Sequence, residues 1–247
     1  MVKQLSVEVW SDVACPWCYV GKRRLERALG AFPHAARVQV RYRAFQLDPS
    51  APAVDDGSRS QAERLAQKYG TSRAQAQGMI DRLVQVAAQD GLAMNFDILR
   101  SGNTFDAHRL LQLARVRGLG AELKERFLKG YFCEGARLGV PEDLLRLASE
   151  AGLEPDEVQG VLASDLYARE VRADQAQARS YGISGVPFFV IGRYGVSGAQ
   201  PAELLLEALN KAWDEAGGSA REQNDEAPGD LREDVSEGAV CDADGCD

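Results

Sequence analysis

Two cysteines separated by two residues, Cys15 and Cys18, are the part of this 247-residue chain best suited to chemistry. Residues 5–10 alternate in polarity like a strand, and residues 16–29 have a helical pattern. Pro16 suits the first helical position, which places Cys15 at the helix N-terminus, where free N–H groups and the helix dipole favour an anion. The pattern predicts a nucleophilic Cys15 thiolate with a pKa of roughly 3.5–7, and Cys18 as the thiol that resolves its mixed disulfides.

The same spacing also occurs in metal sites, so the two cysteines are also compatible with half of a zinc site. Two further ligands would be needed, and Cys241 and Cys246 could supply them. However, four residues separate these two cysteines, and they lie in a polar C-terminal segment. Because a dithiol between a strand and a helix is typical of redox sites, we expect disulfide exchange and no metal.

The residues around the dithiol resemble a known family. Residues 8–21, Glu-Val-Trp-Ser-Asp-Val-Ala-Cys-Pro-Trp-Cys-Tyr-Val-Gly, are similar to the active-site stretch of DsbA-family thioredoxin-fold oxidoreductases, and most similar to its FrnE-like branch. Residues 182–192, Gly-Ile-Ser-Gly-Val-Pro-Phe-Phe-Val-Ile-Gly, resemble the cis-proline loop of that family and the strand after it. The resemblance covers residues 5–213 and implies a thiol–disulfide oxidoreductase, or a disulfide isomerase, that needs no cofactor.

The order of elements along the chain agrees with the fold that this resemblance implies, an α/β thioredoxin fold with an inserted all-helical domain. A second strand pattern covers residues 38–44, helical patterns fill residues 60–181, and two short strands and a last helix follow. We expect three parts: a discontinuous thioredoxin-like domain of residues 1–49 and 182–216, a helical domain of residues 50–181, and a flexible acidic tail of residues 217–247.

Three residues near the dithiol have expected roles, of which the resemblance implies the first, with an ordinary trans-proline that opens a strand as the alternative. Pro187 is expected to form a cis peptide bond that faces Cys15 and Cys18. This bond would turn the chain so that Val186 offers backbone groups to an extended substrate. Trp17 is expected to lie partly exposed and to provide an apolar surface for the substrate, with core packing as the alternative.

Three polar residues are further candidates. Glu8 and Asp12 precede the dithiol, and one of them could carry protons from behind the thiols; ordinary exposed carboxylates at a strand end are the alternative. His108 lies in residues 103–109, which resemble a stretch that the FrnE-like branch shares with glutathione-using isomerases. We expect it either to face the active-site cleft, where it would stabilise a thiolate or bind glutathione as a co-substrate, or to be a helix histidine with an internal partner.

The C-terminal segment carries the second cysteine pair and a charge equal to the whole net charge of the chain. Ten acidic and two basic residues lie between Arg221 and Asp247, so residues 1–220 are close to neutral although the whole chain has a net charge of −8. About 25 flexible residues have a root-mean-square reach of roughly 25–30 Å, which gives the pair a high effective concentration at the dithiol. We predict that Cys241 and Cys246 exchange disulfides with Cys15 and Cys18 or cap the site; free tail thiols and a zinc pair are the alternatives.

The composition also limits the partners. Residues 1–220 are nearly neutral and show no electrostatic preference for nucleic acid. The sequence has no run of about 18 apolar residues, which is the length needed to span a membrane. No apolar signal-peptide core follows Met1, so we expect a cytoplasmic protein. The expected partners are disulfide-containing proteins or small molecules and a cellular thiol reductant. The alternatives are a glutathione-dependent isomerase of the same superfamily, against which Cys18 argues because those enzymes typically lack it, and a redox-sensing chaperone.

Overall fold

The computed structural model describes residues 4–55, 57–218, 239 and 241–242. A single 3₁₀ turn, Ala35–Arg37, lies before the second strand. The strands are β1 (Leu5–Ser11), β2 (Val38–Ala44), β3 (Gly185–Val186), β4 (Phe188–Ile191), β5 (Tyr194–Ser197) and β6 (Cys241–Asp242). The helices are α1 (Pro16–Ala31), α2 (Gln61–Tyr69), α3 (Arg73–Gln89), α4 (Phe105–Val116), α5 (Gly120–Glu134), α6 (Pro141–Glu150), α7 (Pro155–Leu162), α8 (Ala168–Ser180) and α9 (Ala202–Gly218).

A four-stranded sheet is built around β1, with the strand order β2-β1-β4-β5. β1 and β2 are parallel and in register from Leu5–Val38 to Ser11–Ala44, and α1 supplies the crossover that a parallel pair requires. β4 is antiparallel to both β1 and β5. This element order confirms the predicted α/β fold, in which a long helical stretch separates the first two strands from the later ones.

The alternation of β1 determines which core each side chain enters. Leu5, Val7 and Val9 pack with α1 and α9 on one face of the sheet. Trp10 lies on the other face, fully buried beside α8, and its indole N–H donates a hydrogen bond of 3.0 Å to the carbonyl oxygen of Asp174. The sheet is therefore covered by helices on both faces, and β1 carries the chain from this core to the dithiol.

The helices between β2 and β3 enclose a separate apolar core. Ser60 and Ser72 form complete capping boxes at the starts of α2 and α3, which satisfy otherwise free N–H groups. Tyr19 and Val20 of α1 are part of this helical core. The helical region thus packs directly on the helix that carries Cys18. None of the helices in the described ranges is long and apolar enough to cross a membrane.

One short part of the C-terminal segment departs from the prediction that everything beyond residue 217 is flexible. Cys241 and Asp242 form β6, which pairs antiparallel with β3, placing Cys241 opposite Val186. The N–H of Ala199 also donates a hydrogen bond of 2.8 Å to the carbonyl oxygen of Ala239. The physical reason is that β3 presents unpaired backbone groups at an edge, which a second strand can satisfy.

Candidate active site

Cys15 and Cys18 lie where the sequence predicts, across the first turn of α1. Cys15 is the N-cap residue of α1, with Pro16 in the first turn. The backbone N–H of Cys18 donates to Cys15 Sγ over 3.3 Å, and the Cys15 thiol donates to the carbonyl oxygen of Val186 over 3.6 Å. Both cysteines are free thiols. The sulfur of Cys15 therefore has one donor from the helix terminus and one acceptor from the cis-proline loop.

The predicted lowering of the Cys15 pKa is wrong for this structure. Cys15 is 0% exposed and shares an apolar cluster with Trp10, Val186 and Cys241. Burial disfavours the thiolate, and the neighbouring Cys18 adds to this effect, so the pKa of Cys15 lies well above its ordinary value. The hydrogen bond from the Cys18 backbone acts in the opposite direction but is outweighed. The sequence interpretation considered the helix terminus and missed the desolvation.

The peptide bond between Val186 and Pro187 is cis, as the resemblance predicted. Gly21 on α1 permits Pro187 to lie close to the helix, because a Cβ atom at residue 21 would be 2.9 Å from Pro187 Cγ. This distance is too short for two carbon atoms in contact. Glycine at this position thus lets the cis-proline loop pack against the helix that carries the dithiol.

The backbone of Val186, predicted to receive an extended substrate, is paired with Cys241. Cys241 is fully buried and lies in the same apolar cluster as Cys15 and Cys18. It is disulfide-bonded, so it is not available as the zinc ligand considered above. Cys246, the other predicted tail cysteine, lies outside the described residues. Residues 241–242 therefore occupy the strand edge beside the dithiol.

Asp12, which precedes α1, forms a pair with His108 of α4 in the protein interior. His108 Nε2 is 3.2 Å from Asp12 Oδ1, and both side chains are almost completely buried. Asp12 also accepts hydrogen bonds from the N–H groups of Ala14 (3.4 Å) and Leu47 (2.9 Å). Burial opposes ionisation, but His108 and the Leu47 N–H outweigh it, so the pKa of Asp12 lies below its ordinary value. His108 thus orients Asp12 and does not lie open to the cleft.

Glu8 takes part in a different network. It accepts a hydrogen bond of 2.8 Å from Arg43 Nε, and Arg43 donates a second bond, of 2.7 Å, to Asp174. Asp174 also accepts a hydrogen bond of 2.7 Å from Gln112. These contacts tie β1 and β2 to α4 and α8. Of the two predicted carboxylates, Asp12 is the one whose charge acts on Cys15.

Lys124 of α5 is a buried ionisable residue that the sequence analysis missed. It is 1% exposed, its Nζ lies 5.8 Å from the centre of the Tyr42 ring, and this atom has no hydrogen-bond partner among the described residues. Burial lowers the pKa of Lys124, while the nearby ionisable groups of Cys18, Asp12 and Cys15 act in the opposite direction.

The helical spacing contained a signal for Lys124. Phe127, Leu128 and Tyr131 follow it at the third, fourth and seventh positions, which is the spacing of one helix face. All three are buried. A lysine on the apolar face of a predicted helix could thus have been singled out, although its proximity to the dithiol could not.

A cavity of about 760 Å³ opens beside the start of α1. Pro16 and Trp17 form one end, and apolar side chains of α2 and α3, including Leu65 and Leu83, form a wall. Trp17 is half-buried; it lines this cavity and also packs against two apolar clusters, as in the alternative of core packing. The volume is typical of sites that bind small molecules or an extended apolar group. Ala239 of the C-terminal segment also lines this cavity.

Comparison with known proteins places this geometry in a family context. The family model described as DSBA-like thioredoxin domain matches residues 6–210. The crystal structure of "probable DsbA oxidoreductase SCO1869" from Streptomyces coelicolor is similar to this chain, with a TM-score of 0.82, 44% sequence identity and coverage of 99% of both chains.

Two further proteins are more distant. Uncharacterized protein YwbO of Bacillus subtilis (strain 168) is 27% identical over 209 residues, which are 83% of this chain and 95% of that protein. Cytosolic disulfide reductase DsbM from Pseudomonas aeruginosa has a similar fold, with a TM-score of 0.52 and 15% identity, over 87% of this chain and 98% of the other. The latter similarity concerns the fold alone.

Proposed function

The chain belongs to the family of DSBA-like thioredoxin domains, and from this premise we propose that it is a thiol–disulfide oxidoreductase whose dithiol is Cys15 and Cys18. The observation that carries the proposal is the position of Cys15 Sγ, between the N–H of Cys18 at 3.3 Å and the cis-proline loop at Val186. A nucleophile at a helix start beside a strand edge can attack a disulfide that lies along this edge.

The proposed reaction has two exchange steps. The Cys15 thiolate attacks one sulfur of a substrate disulfide, which forms a mixed disulfide and releases the other substrate sulfur as a thiolate. The Cys18 thiolate then attacks Cys15 Sγ, which releases the second substrate sulfur and forms the Cys15–Cys18 disulfide. Two electrons pass from the dithiol to the substrate. A cellular thiol reductant, with glutathione as one candidate, restores the dithiol; the same steps in reverse would oxidise or isomerise a substrate.

We propose that the first disulfide with which the dithiol reacts is the one that Cys241 forms in the C-terminal segment. Cys241 is disulfide-bonded and lies opposite Val186 in a strand pairing, as a bound substrate would. We propose that Cys246 is the partner of Cys241 in this disulfide, that Cys15 attacks Cys241 with Cys246 as the leaving thiolate, and that Cys18 then releases Cys241. The exchange moves one disulfide from the tail to the dithiol, so it needs no further oxidant or reductant.

Substrates are proposed to bind after the tail leaves. The Val186 backbone would then pair with an extended substrate, and the cavity beside Trp17 would take an apolar group of a protein or small-molecule disulfide. In this proposal the carboxylate of Asp12, oriented by His108, acts electrostatically on Cys15. Glu8 has a structural role through its contact with Arg43. We expect the reaction to take place in the cytoplasm, in line with the name of the similarly folded DsbM.

The test is reduction of insulin disulfides by the full-length protein with a thiol reductant. Cys15→Ser is expected to abolish turnover, and Cys18→Ser to stop after one exchange and accumulate mixed disulfide. Cys133→Ser is the matched control, because Cys133 is a free thiol on α5 outside the dithiol; it should keep the wild-type rate. Turnover that survives Cys15→Ser would contradict the proposal.

A further inference from the structure

Lys124 lies in an interface between the helical region and the helix that carries the dithiol. Its neighbour Glu125 accepts hydrogen bonds from Tyr19 Oη (2.7 Å) and Lys22 Nζ (2.6 Å), both on α1. These contacts hold this turn of α5 against α1. Lys124 itself extends toward β2, where its Nζ lies near the ring of Tyr42.

The two buried lysines of this interface differ in their partners. Lys22 is ion-paired with Glu26 and Glu125, at 2.5 and 2.6 Å. Lys124 has no such partner among the described residues, and its Nζ makes no hydrogen bond there. An unpaired ammonium in an apolar interior is unfavourable. The side chain of Lys124 is therefore suited to be a neutral amine that can accept a proton.

The groups around Lys124 identify the source of such a proton. On α1, the ionisable groups of Cys18 and Lys22 lie within electrostatic range of Lys124, and Lys22 disfavours a second positive charge there. Asp12 and Cys15, which precede α1, are within the same electrostatic range, and on β2 the ring centre of Tyr42 lies 5.8 Å from Lys124 Nζ. Asp12 already has a hydrogen-bond partner in His108, and burial raises the pKa of Tyr42 above its ordinary value. Cys18 lies one helical turn before Lys22, on the face of α1 that Glu125, the neighbour of Lys124, contacts, so it is the proton donor that best fits this position.

We propose that Lys124 takes up the proton of Cys18 in the resolving step. The proposal rests on the proposed function and deepens it, because it assigns the base for the second exchange. The Lys124 amine accepts the Cys18 proton and becomes an ammonium, and the Cys18 thiolate attacks Cys15 Sγ. The Cys15–Cys18 bond forms while the bond from Cys15 to the substrate sulfur breaks. The departing substrate thiolate takes up a proton, and the Lys124 ammonium releases one, so the proton count balances.

The two exchange steps can be separated with dithiobis(nitrobenzoate), an aromatic disulfide whose thiolate product is coloured. The full-length chain is used with Cys133, Cys241 and Cys246 replaced by serine, so that only Cys15 and Cys18 react. The first equivalent of coloured thiolate reports attack by Cys15. The second equivalent reports resolution by Cys18.

Lys124→Met is expected to leave the first phase within about twofold of its parent and to slow the second phase about 10- to 100-fold at pH 7, since general-base assistance has at least this magnitude. The deficit should shrink as the pH rises, because hydroxide then removes the Cys18 proton. Lys129→Met is the matched control, since Lys129 is an exposed lysine on the same helix, and both of its phases should be normal. Lys124→Gln, which is polar but not basic, should reproduce the defect.

An unchanged second phase in either Lys124 variant would overturn the proposal, as would equal slowing of both phases or a deficit that persists at high pH. Each of these results would leave the proposed function intact. Absence of the first phase in the parent protein would instead contradict the proposed function itself. The two failures are therefore distinguishable in one experiment.

Discussion

At the scale of single residues, the state of Cys15 depends on two opposing effects. The Cys18 N–H at 3.3 Å favours the thiolate, while complete burial favours the thiol and is the larger effect. Cys241 contributes to the apolar cluster that buries Cys15. The reactivity of the nucleophile therefore depends on whether the C-terminal segment is in place.

Removal of this segment is expected to lower the pKa of Cys15. In a chain that ends at Gly218 we expect the sulfur to gain contact with water and to keep the helix terminus, so its thiolate should form at lower pH than in the full chain. The pH dependence of alkylation by iodoacetamide measures this for each cysteine separately. Cys133, whose pKa is raised by its own burial and by Glu134, should titrate identically in both proteins. An identical Cys15 pKa in both would contradict the role of the tail in burying it.

Replacement of Asp12 by asparagine is expected to destabilise the protein by about 3 kcal/mol at neutral pH, because it removes the carboxylate from the buried pair with His108. The pKa of Asp12 in the folded protein is below its ordinary value. Its contribution is therefore fully present above the ordinary aspartate pKa of about 3.9 and is lost as the pH falls through the lower folded value.

Urea unfolding from pH 7 down to pH 3 tests the predicted direction of this pH dependence. The difference in unfolding free energy between the wild-type protein and Asp12→Asn should narrow toward pH 3. Asp156→Asn, at an exposed position in the first turn of α7, should show only a small difference throughout. A gap for Asp12→Asn that does not vary with pH would show that ionisation of Asp12 contributes nothing.

At the scale of elements, close packing of α1 on the cis-proline loop keeps the dithiol next to the strand edge. Gly21→Ala would place a Cβ atom 2.9 Å from Pro187 Cγ, so one element must move. We expect a loss of about 1–3 kcal/mol of stability, as for other overpacked sites, together with slower disulfide exchange. Gly30→Ala in the same helix meets no atom within 4 Å and should be neutral or stabilising by about 0.5–1 kcal/mol.

The stability of the two alanine variants is compared by thermal unfolding, and their disulfide exchange is compared by insulin reduction. Equal behaviour of Gly21→Ala and Gly30→Ala would contradict the packing argument. Loss of stability in Gly21→Ala with normal exchange would show that the contact serves stability alone.

The sequence predicted the elements better than their long-range contacts. The alternation of residues 5–10, the helix start at Pro16 and the second strand at residues 38–44 are local patterns, and the structure has all three. The pairing of β6 with β3 could not be predicted, because two residues at the end of a polar segment carry no strand pattern. The Asp12–His108 pair was missed for a similar reason: both residues were candidates, but their contact depends on how α4 packs.

At the scale of the whole molecule, one side of the site is formed by parts that are far apart in sequence. α1 supplies the thiols, β3 the strand edge, α5 the buried lysine, and the C-terminal segment the strand that covers them. The sequence interpretation of the dithiol considered only its own helix, and this is why the predicted direction of the Cys15 pKa was wrong. The burial of Cys15 arises from parts of the chain that are distant in sequence, so the pattern of its own helix does not reveal it.

Attack by Cys15 on a disulfide held beside Val186 is the step on which the proposed activity depends. The most direct measurement is mass spectrometry of the Cys18→Ser chain, digested without reduction, alone and after addition of a disulfide-containing peptide. A disulfide between Cys15 and Cys241 is expected in the first sample, and one between Cys15 and the peptide is expected to accumulate in the second. If Cys15 is recovered only as a free thiol in both samples, it is not the nucleophile.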